Sequence, residues 1–533
     1  MASMGKIFLT LLLLSSAFSI ASSRRAPSTS SNIDWWCNLT PHPEPCKYYI
    51  TQINLNYQIK HRSEFRVLLV QLALKQSLIM QMEAQHFEQN SVTKKHKVVH
   101  NDCLKLYENT IFHLKRTIEG LRAKRSSCSP VDAQTWLSTA LTNIQTCSTG
   151  ATDLSVEDFT VSKLSNNVTE MIRNSLAINN MDFLKHNNAN NRKAESKEEF
   201  PSWFSKHNRK LLQSSSTKAH LVVARDGSGN FRNVQDALNA AAKRKTKTRF
   251  IIHVKKGVYA ENIEVEKNND NIMLIGDGMA NTIITSHRSV QDGFTTYSSA
   301  TAGIDGLHFI ARDITFQNTA GPAKGQAVAL RSASDLSVFY RCAISGYQDT
   351  LMVHAQRQFY RQCYIYGTID FIFGNAAVVF QNCNIFARKP LDGQANMITA
   401  QGRGDPFQNS GISIHNCQIR AAPDLKPFVD KYNTFLGRPW QQYARVMVMK
   451  TFMDSLVNPL GWSPWGDTNF AQETLYYGEY ENYGPGSSTS NRVKWPGFHV
   501  ITSPAEASQF TVTALLAGRT WLPTTTVPFT SGL

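Results

Sequence analysis

The sequence predicts two unlike domains, an all-α four-helix bundle followed by an all-β right-handed parallel β-helix. Apolar residues recur at intervals of three and four between about 32 and 180, the period of helices buried on one face. From 219 onward the chain changes to short runs of β-branched and aromatic residues bounded by Gly, Asn and Asp. In this second part a four-residue pattern ending in Cys recurs at intervals of 21, 20 and 34 residues, and a repeat near 20 residues is typical of solenoids.

The first residues, 1–23, have the pattern of a secretory signal peptide. Lys6 precedes an apolar run from Ile7 to Leu14, and small residues follow as far as Ser23. An uncleaved membrane anchor is the alternative interpretation. No later stretch approaches the roughly 20 apolar residues that span a bilayer. We therefore expect a mature protein that is secreted, extracellular and not held in a membrane.

Export would place the chain in an oxidising compartment. Its nine Cys are then expected to form some disulfides, and the sequons at Asn38 and Asn167 are candidate glycosylation sites. The net charge of +16 suits a polyanionic partner such as an acidic matrix. Nucleic acid is the other usual partner of basic chains, but the sequence contains no recognisable nucleic-acid-binding motif. We expect no nucleic acid to bind.

The predicted helical domain, residues 32–180, has two apolar stripes that fit the buried faces of a bundle. It contains five Cys, so at least one is left over if every pair forms inside the domain. It contains no convincing catalytic constellation. The stripes consist of Phe65, Leu68, Leu69, Leu72 and Ile79, and of Leu104, Tyr107, Ile111, Leu114, Ile118 and Leu121.

Residues 181–218 are predicted to form an exposed linker, because Asn, Lys, Glu and Ser replace the apolar residues there. The run NNANN at 187–191 is typical of this composition. The run RKLL at 209–212 adds a dibasic step, Arg209 and Lys210 before Leu211 and Leu212, that would serve as a processing site in accessible chain. A solvated charge pair is the alternative interpretation.

Residues 219–533 form the predicted β-helix. The runs FIIHV at 250–254, NIMLI at 271–275 and AAVVF at 376–380 are typical of strands, and few helical patterns interrupt them. The general rule for crossovers between parallel strands predicts the right-handed form. The repeats are FYRC, YRQC, FQNC and IHNC, which end at Cys342, Cys363, Cys383 and Cys417, and a variant FQNT, which ends at Thr319.

Two carboxylates share one phase of this repeat. Asp349, Asp370 and Gln326 each lie seven residues after the end of one repeat. Because successive coils are about 4.8 Å apart, an amide and two carboxylates would stack. Two carboxyl groups that close cannot both ionise easily, so one of them should keep its proton. An acid beside an anion is suited to hydrolysis, although ordinary turn positions are the alternative explanation for both Asp.

The same repeat places four Cys in one column, at a separation that disulfides can bridge. We predict a bond between Cys342 and Cys363, because it would clamp the two coils that carry the Asp pair. Cys383 and Cys417 would then pair by elimination. Four free buried thiols are the alternative.

Five segments of the second part resemble the signature motifs of plant pectin methylesterases. The N-terminal part resembles the pectin methylesterase inhibitor domain in its helical character and its Cys pattern, and this match is the weaker one. The five segments are TTYSSAT at 295–301, GQAVALR at 325–331, GYQDTL at 346–351, GTIDFIFG at 367–374 and LGRPW at 436–440.

The resemblance implies a carboxylic ester hydrolase that converts methylesterified homogalacturonan to pectate and methanol during cell-wall modification. Asp370 would be the nucleophile and Asp349 the general acid and base, with Arg438 keeping Asp370 ionised. We expect no cofactor and no metal. The remaining implied roles are oxyanion binding by Gln326 and Gln348, stacking on a sugar ring by Trp440 and substrate contact by Thr296.

The inhibitor-like match implies disulfides from Cys37 to Cys46 and from Cys103 to Cys147, with Cys128 as an addition to the pattern. It also implies a pro-region that keeps the enzyme silent, or aids its folding, until the linker is cut. The expected partners are pectin and either this pro-region or separate inhibitor proteins. The enzyme is expected to be a monomer.

Two positions beside the implied site depart from the family pattern. Gly325 stands where relatives commonly have a bulkier polar residue, and Met352 stands where Tyr is usual, so substrate contacts are expected to differ there. Two rival functions stay open on the residues alone. One is a polygalacturonase, because paired Asp can also cleave glycosidic bonds. The other is a non-catalytic inhibitor or cell-wall-binding protein, which only the N-terminal half supports.

Overall fold

The computed structural model of the protein describes residues 30–53, 58–87, 93–122, 128–156, 162–194, 219–246 and 248–533. Helices make up the described part before 195 and parallel strands dominate the part after 218, so the predicted fold classes are confirmed. The predicted signal peptide and the dibasic step at 209–212 lie outside the described residues and stay predictions. No described helix is long and apolar enough to cross a membrane.

The N-terminal part is a bundle of four long helices preceded by two short ones, and each long helix packs against two of the others. The fifth helix begins with a capping box, in which the side chains of Ser129 and Asp132 each accept the other's backbone N–H. The sixth helix continues beyond 180, so the first part of the predicted linker is helical. The helices are α1 Ser30–Cys37, α2 Pro43–Thr51, α3 Arg62–Phe87, α4 Lys94–Arg122, α5 Pro130–Asp153 and α6 Ser162–Ala194.

Two disulfides hold the helical bundle, and they are the two that the family resemblance implies. Cys37 and Cys46 join α1 to α2 with a Cα separation of 5.6 Å. Cys103 and Cys147 join α4 to α5 with a Cα separation of 4.9 Å. Cys128 is buried and takes part in neither bond.

The C-terminal part is a parallel β-helix of three sheets, with every named strand pair parallel. Three short helices accompany it, α7 Val234–Ala242, α8 Pro504–Ala507 and α9 Val512–Leu516. Sheet 1 contains β1 Leu221–Val223, β2 Phe250–Val254, β5 Ile272–Gly276, β8 Ile310–Arg312, β11 Ser337–Tyr340, β14 Arg357–Arg361, β17 Ala377–Gln381, β20 Gly411–His415, β23 Arg445–Met449, β25 Tyr476–Tyr480 and β26 Phe498–Val500. Sheet 2 contains β4 Ile263–Val265, β7 Ala302–Ile304, β10 Leu330–Ser332, β13 Leu351–Val353, β16 Ile372–Gly374, β19 Asn396–Gln401 and β22 Thr434–Pro439. Sheet 3 contains β3 Gly257–Ala260, β6 Thr282–Ser286, β9 Thr315–Asn318, β12 Ala343–Ser345, β15 Tyr364–Gly367, β18 Asn384–Ala387, β21 Gln418–Ala421 and β24 Phe452–Met453.

The interior of the β-helix is built from columns of like residues in register. Phe339, Tyr360 and Phe380 are paired across β11, β14 and β17, and their rings stack with centroids 4.6 and 4.7 Å apart. All the buried residues of this interior cluster fall between 223 and 477. The β-helix therefore has a hydrophobic core that needs no residue of the helical bundle.

The four Cys of the β-helix form the predicted column, but the predicted disulfides Cys342–Cys363 and Cys383–Cys417 are wrong. All four are free buried thiols. Side chains stacked on parallel coils point in one direction, so neighbouring sulfurs stay near strand spacing, whereas a disulfide needs about 2.05 Å. Three of the thiols donate to backbone carbonyls of the preceding coil instead, as Cys363 Sγ does to Phe339 O at 3.2 Å, whereas Cys342 Sγ donates to Tyr340 O of its own coil.

The FQNT segment was placed in the wrong register by the sequence repeat. Ala343 pairs with Thr315, so Cys342 stacks on Ile314 and not on Thr319. The coil between β9 and β10 carries a 3₁₀ turn at Pro322–Lys324, and this insertion breaks the even spacing. The strands stay paired although the loops between them differ in length. Counting residues from one repeat to the next cannot detect such a change in loop length.

Candidate active site

Asp349 and Asp370 stack as the repeat predicts. Each lies two residues before a strand of sheet 2, and those strands pair Leu351 with Ile372. Both Asp have left-handed backbone conformations, with φ of 61° and 50°, which Asp tolerates better than most residues. The Asp349 N–H donates to Ile369 O at 2.9 Å, and this hydrogen bond joins the turn that carries Asp349 to the turn that carries Asp370. The side chains end up on the same face and are only 8% and 6% exposed.

Arg438 forms a two-pronged ion pair with Asp370. Its Nε donates to Oδ1 at 2.8 Å and its Nη2 to Oδ2 at 2.6 Å. Arg438 reaches this carboxylate from β22, in the outward column that Phe373 and Ala400 also occupy. The centre of the Trp465 ring lies 4.4 Å from the guanidinium carbon, a cation–π contact that adds a second partner for Arg438. Asp349 has no such cationic clamp among the described side chains.

The surroundings of the two carboxyl groups give them different pKa values. Burial raises the pKa of Asp349 well above its ordinary value, and the negative charges of Asp370 and Asp153 add to this shift. Burial also raises the pKa of Asp370, but the two hydrogen bonds and the charge of Arg438 oppose that shift. We therefore place the proton of the pair on Asp349 and the negative charge on Asp370.

One cavity of about 250 Å³ collects every catalytic and substrate-binding residue that the sequence predicted. Gln326 is among them although it is out of register, because Leu330 pairs with Leu351 and so Val328 occupies the position that matches Asp349. The loop after the 3₁₀ turn brings Gln326 to the cavity instead. The seven residues are Thr296, Gln326, Gln348, Asp349, Asp370, Arg438 and Trp440.

Sequence reasoning missed several residues of this cavity. Trp465 clamps Arg438, and its sequence signal was the WSPW run at 462–465, which places two Trp close together. Tyr297 and Phe373 lie inside motifs that were recognised for other residues. The contributions from α5 carried no signal, because they come from the other domain; they are Thr146, Thr149, Gly150 and Asp153.

The loop that presents Gln348 and Asp349 is fixed from outside by Arg388. Its Nη1 donates to Gly346 O at 3.0 Å and its Nη2 to the Tyr347 hydroxyl at 2.6 Å. The guanidinium carbon also lies 3.8 Å from the centre of the Tyr347 ring. The amide of Gln348 therefore starts from a rigid backbone, which is a condition for a useful oxyanion donor.

Helix α5 lies over the opening of the cavity. The Thr296 N–H donates to Asp153 Oδ2 at 2.8 Å, which brings a carboxylate of the bundle beside the Asp pair. Gly150 lies against Thr295, where a Cβ added to the glycine would be 3.2 Å from Thr295 Cγ2. The apolar core of the bundle continues onto Met352 of sheet 2 and its neighbours in the same column. In the full chain the pair of Asp349 and Asp370 is therefore covered.

Buried charges reinforce this contact away from the cavity. Lys105 of α4 reaches Glu264 at 2.8 Å and Asp305 at 3.1 Å. Arg331 pairs with the same two acids and is almost fully buried. Burial of so many charges is tolerable only while each keeps its partner, so the two domains are matched to each other.

Both parts of the chain match known protein families. The Pectinesterase family model matches residues 220–519, and a model described as plant invertase/pectin methylesterase inhibitor matches residues 31–178. Probable pectinesterase/pectinesterase inhibitor 33 of Arabidopsis thaliana is 57% identical over 518 residues, which cover 95% of this chain and 87% of that protein. Pectinesterase 2 of Citrus sinensis is 52% identical over 498 residues, which cover 93% of this chain and 94% of that protein.

Solved structures with the same fold correspond to the larger part of the chain. A pectin methylesterase from carrot is 56% identical with a TM-score of 0.59, covering 60% of this chain and 100% of the carrot chain. A deglycosylated pectin methylesterase from Aspergillus niger is 32% identical with a TM-score of 0.50, covering 58% of this chain and 97% of that one. The β-helix makes up about the same share of this chain as the share that matches the carrot protein.

Proposed function

Because the chain belongs to the pectinesterase family, we propose that it hydrolyses the methyl esters of homogalacturonan with Asp370 as nucleophile and Asp349 as general acid and base. The observation that carries this assignment is the asymmetry of the stacked pair. Arg438 holds Asp370 as an anion at 2.6 to 2.8 Å, whereas burial keeps the proton on Asp349. A nucleophile and an acid are then present together at one pH.

The first half of the proposed reaction forms an acyl-enzyme. An Asp370 oxygen attacks the ester carbonyl carbon and the C–O bond to the methoxy group breaks. Asp349 gives its proton to the departing oxygen, so methanol leaves as a neutral molecule. The amides of Gln348 and Gln326 donate to the oxyanion of the tetrahedral intermediate, which is worth about 3 kcal/mol for each donor in comparable sites.

The second half releases the product. Asp349, now an anion, takes a proton from a water molecule that attacks the acyl carbon of the Asp370 anhydride. The bond to Asp370 breaks and the galacturonic acid group leaves, giving its remaining proton to solvent, so both Asp return to their starting states. Trp440 would stack on a sugar ring beside the cavity, and Thr296 would contact substrate. The net charge of +16 favours a polyanionic polymer.

We also propose that residues 30–194 keep the enzyme silent until the linker is cut. Helix α5 lies on the cavity and Asp153 occupies the Thr296 N–H, so a polymer has no access while the bundle is docked. Secretion to the cell wall, cleavage near Arg209 and glycosylation at the exposed Asn38 and the half-buried Asn167 belong to the same proposal.

Residues 219–533 alone are expected to release methanol from highly methylated pectin, because their core and all seven predicted site residues are their own. The measurement follows methanol, the fall in pH of an unbuffered solution, and reducing ends in one sample. Methanol without new reducing ends supports the proposal. New reducing ends without methanol would identify a polygalacturonase. The absence of both products would indicate a non-catalytic binding protein.

Docking of the bundle is expected to weaken as pH rises from about 4 to about 6. Ionisation of Asp102 at the interface is unfavourable, because burial raises its pKa to about 6 from an ordinary 3.8, against the opposing charges of Arg331 and Lys105. Burial raises the pKa of Asp153 as well. A raised carboxyl pKa means that the docked state holds a proton which the separated state has lost. Affinity therefore falls with pH in this window, by up to about tenfold per pH unit for each group, and levels off above it.

The measurement is sedimentation of the chain after cleavage in the linker, at pH 4.5 and pH 6.5. A chain with Asp102→Asn keeps an oxygen for the Thr295 hydroxyl, which donates to Asp102 Oδ2 at 2.5 Å, but it cannot titrate. It should show a shallower pH dependence than the unsubstituted chain. Equal association of the unsubstituted chain at both pH values would contradict the prediction.

A further inference from the structure

A row of hydroxyl groups on α5 lies against amide and imidazole side chains that border sheet 2. The row follows the helical repeat, so its members share one face of α5. His354 contacts the last hydroxyl of the row at 2.8 Å. The hydroxyls are Thr135, Ser138, Thr142 and Thr146, and the facing side chains are Asn409, Gln408, Asn375 and His354.

The centre of this contact is one oxygen that receives two amide donors. Asn375 Nδ2 donates to Thr142 Oγ1 at 2.9 Å, and Gln408 Nε2 reaches the same atom at 3.4 Å. Gln408 Nε2 also donates to Ser138 O at 3.1 Å. Thr142 and Ser138 thus present acceptor oxygens, as a sugar would.

The β-helix itself fixes the orientation of both amides. Asn375 Oδ1 accepts from Gln401 Nε2 at 3.1 Å and from the Ser410 hydroxyl. Gln408 Oε1 accepts the Gly404 N–H at 3.1 Å. Because each oxygen is committed inside the β-helix, the N–H groups must point outward to α5. The β-helix therefore holds these N–H donors in place by itself, and α5 only supplies acceptors for them.

The amide pair lies along the same face as the catalytic cavity. Asn375 directly follows β16, five residues after Asp370, which is about 16 Å of extended chain. A small hollow lined by Thr142, Asn375 and Trp440 adjoins it, and Trp440 also lines the catalytic cavity. A polymer stacked on Trp440 could therefore continue toward the amide pair.

We propose that Asn375 and Gln408 form a remote subsite for galacturonan, binding an acceptor oxygen of a sugar unit beyond Trp440. Thr142 of α5 occupies this subsite in the full chain and imitates the sugar oxygen. The assignment rests on the proposed function, because it concerns the polymer on which that function acts. It makes the two amides specificity residues for chain length, with no part in the chemical step.

The test uses residues 219–533 with Asn375→Asp and, separately, Gln408→Glu. Each substitution keeps the oxygen that accepts inside the β-helix and removes the outward donors. We expect KM for long methylated pectin to rise about tenfold with little change in kcat, because the lost contact binds ground state and transition state alike. The rate constant kcat/KM on a methylesterified digalacturonate, which is too short to reach the pair, should stay within about twofold.

Asn384→Asp is the matched control. Asn384 lies on β18 of sheet 3, so it introduces the same charge away from sheet 2 and should change KM for neither substrate. The assays are run in about 0.2 M salt to screen long-range repulsion of the polymer. Unchanged KM for long pectin in both Asn375→Asp and Gln408→Glu, with unaltered thermal unfolding, would overturn the subsite. Failure of the proposed function looks different, because the unsubstituted protein would then release no methanol.

Discussion

Asp370→Asn is expected to reduce methanol release by residues 219–533 at least about a thousandfold, since losing a nucleophile typically costs this much or more. The amide is nearly the same size as the carboxylate and can still accept from Arg438. It cannot, however, form the acyl-enzyme, because a neutral amide oxygen is a poor nucleophile. Methanol release from highly methylated pectin is the measurement.

Asp313→Asn provides the control for this experiment. Asp313 also has a left-handed backbone, with φ of 60°, and it also receives a two-pronged ion pair, from Arg341 at 2.7 and 2.6 Å. It lies between β8 and β9, away from the cavity. The control should lose stability only and keep its activity. If Asp370→Asn released methanol at the rate of the control, Asp370 would not be the nucleophile.

The stacking of Asp349 and Asp370 could be predicted because strand pairing imposes it. Coils of a parallel solenoid align residue by residue, so equal spacing from a shared mark means equal position in space. Gln326 shows the limit of this reasoning. A 3₁₀ turn lengthens one coil, the count then slips by two residues, and the side chain reaches the cavity by a different path.

The Cys column shows a second limit. Its existence follows from register, and Cys342 does stack beside Cys363. Bond formation depends on whether the two sulfurs can turn toward each other, which spacing does not encode. The disulfides of the helical bundle came from family resemblance and were confirmed, whereas those of the β-helix came from spacing alone and were wrong.

The docking of α5 could not be predicted from the sequence at all. The apolar stripes of the helical domain, on α3 and α4, indicate a bundle core, and hydroxyls such as Thr142 on one face of α5 give no sign of a partner. Contacts between domains join residues more than 100 positions apart, as Asp153 and Thr296 do. Only the fold brings such residues together, and the silencing that we propose depends on the cavity that they cover.

Gly150→Leu is expected to restore activity to an uncut chain. An intact chain, in which Arg209→Ala and Lys210→Ala prevent cleavage in the linker, should release methanol at least about a hundredfold more slowly than residues 219–533, because a tethered inhibitor acts at high effective concentration. Gly150 is buried against the Thr295 side chain, where an added Cβ would be only 3.2 Å from Cγ2. An added Cβ at this distance forces Thr295 to move, and the rest of the Leu side chain crowds the same contact, so we expect α5 to lift from the cavity and methanol release to rise most of the way to that of residues 219–533.

Helix stability and docking act in opposite directions in this substitution, which makes the result decisive. Leu favours a helix by about 1 kcal/mol over Gly, so the substitution does not weaken α5 through its intrinsic helix propensity. Thr152→Leu is the control, because Thr152 lies on the same turn but is exposed, and it should leave the uncut chain silent. Full activity of the uncut chain before any substitution would show that the bundle does not block the cleft. Silence that persisted in Gly150→Leu, with the bundle still docked in sedimentation, would mean that the interface can absorb the side chain and that the contact at Thr295 does not control access.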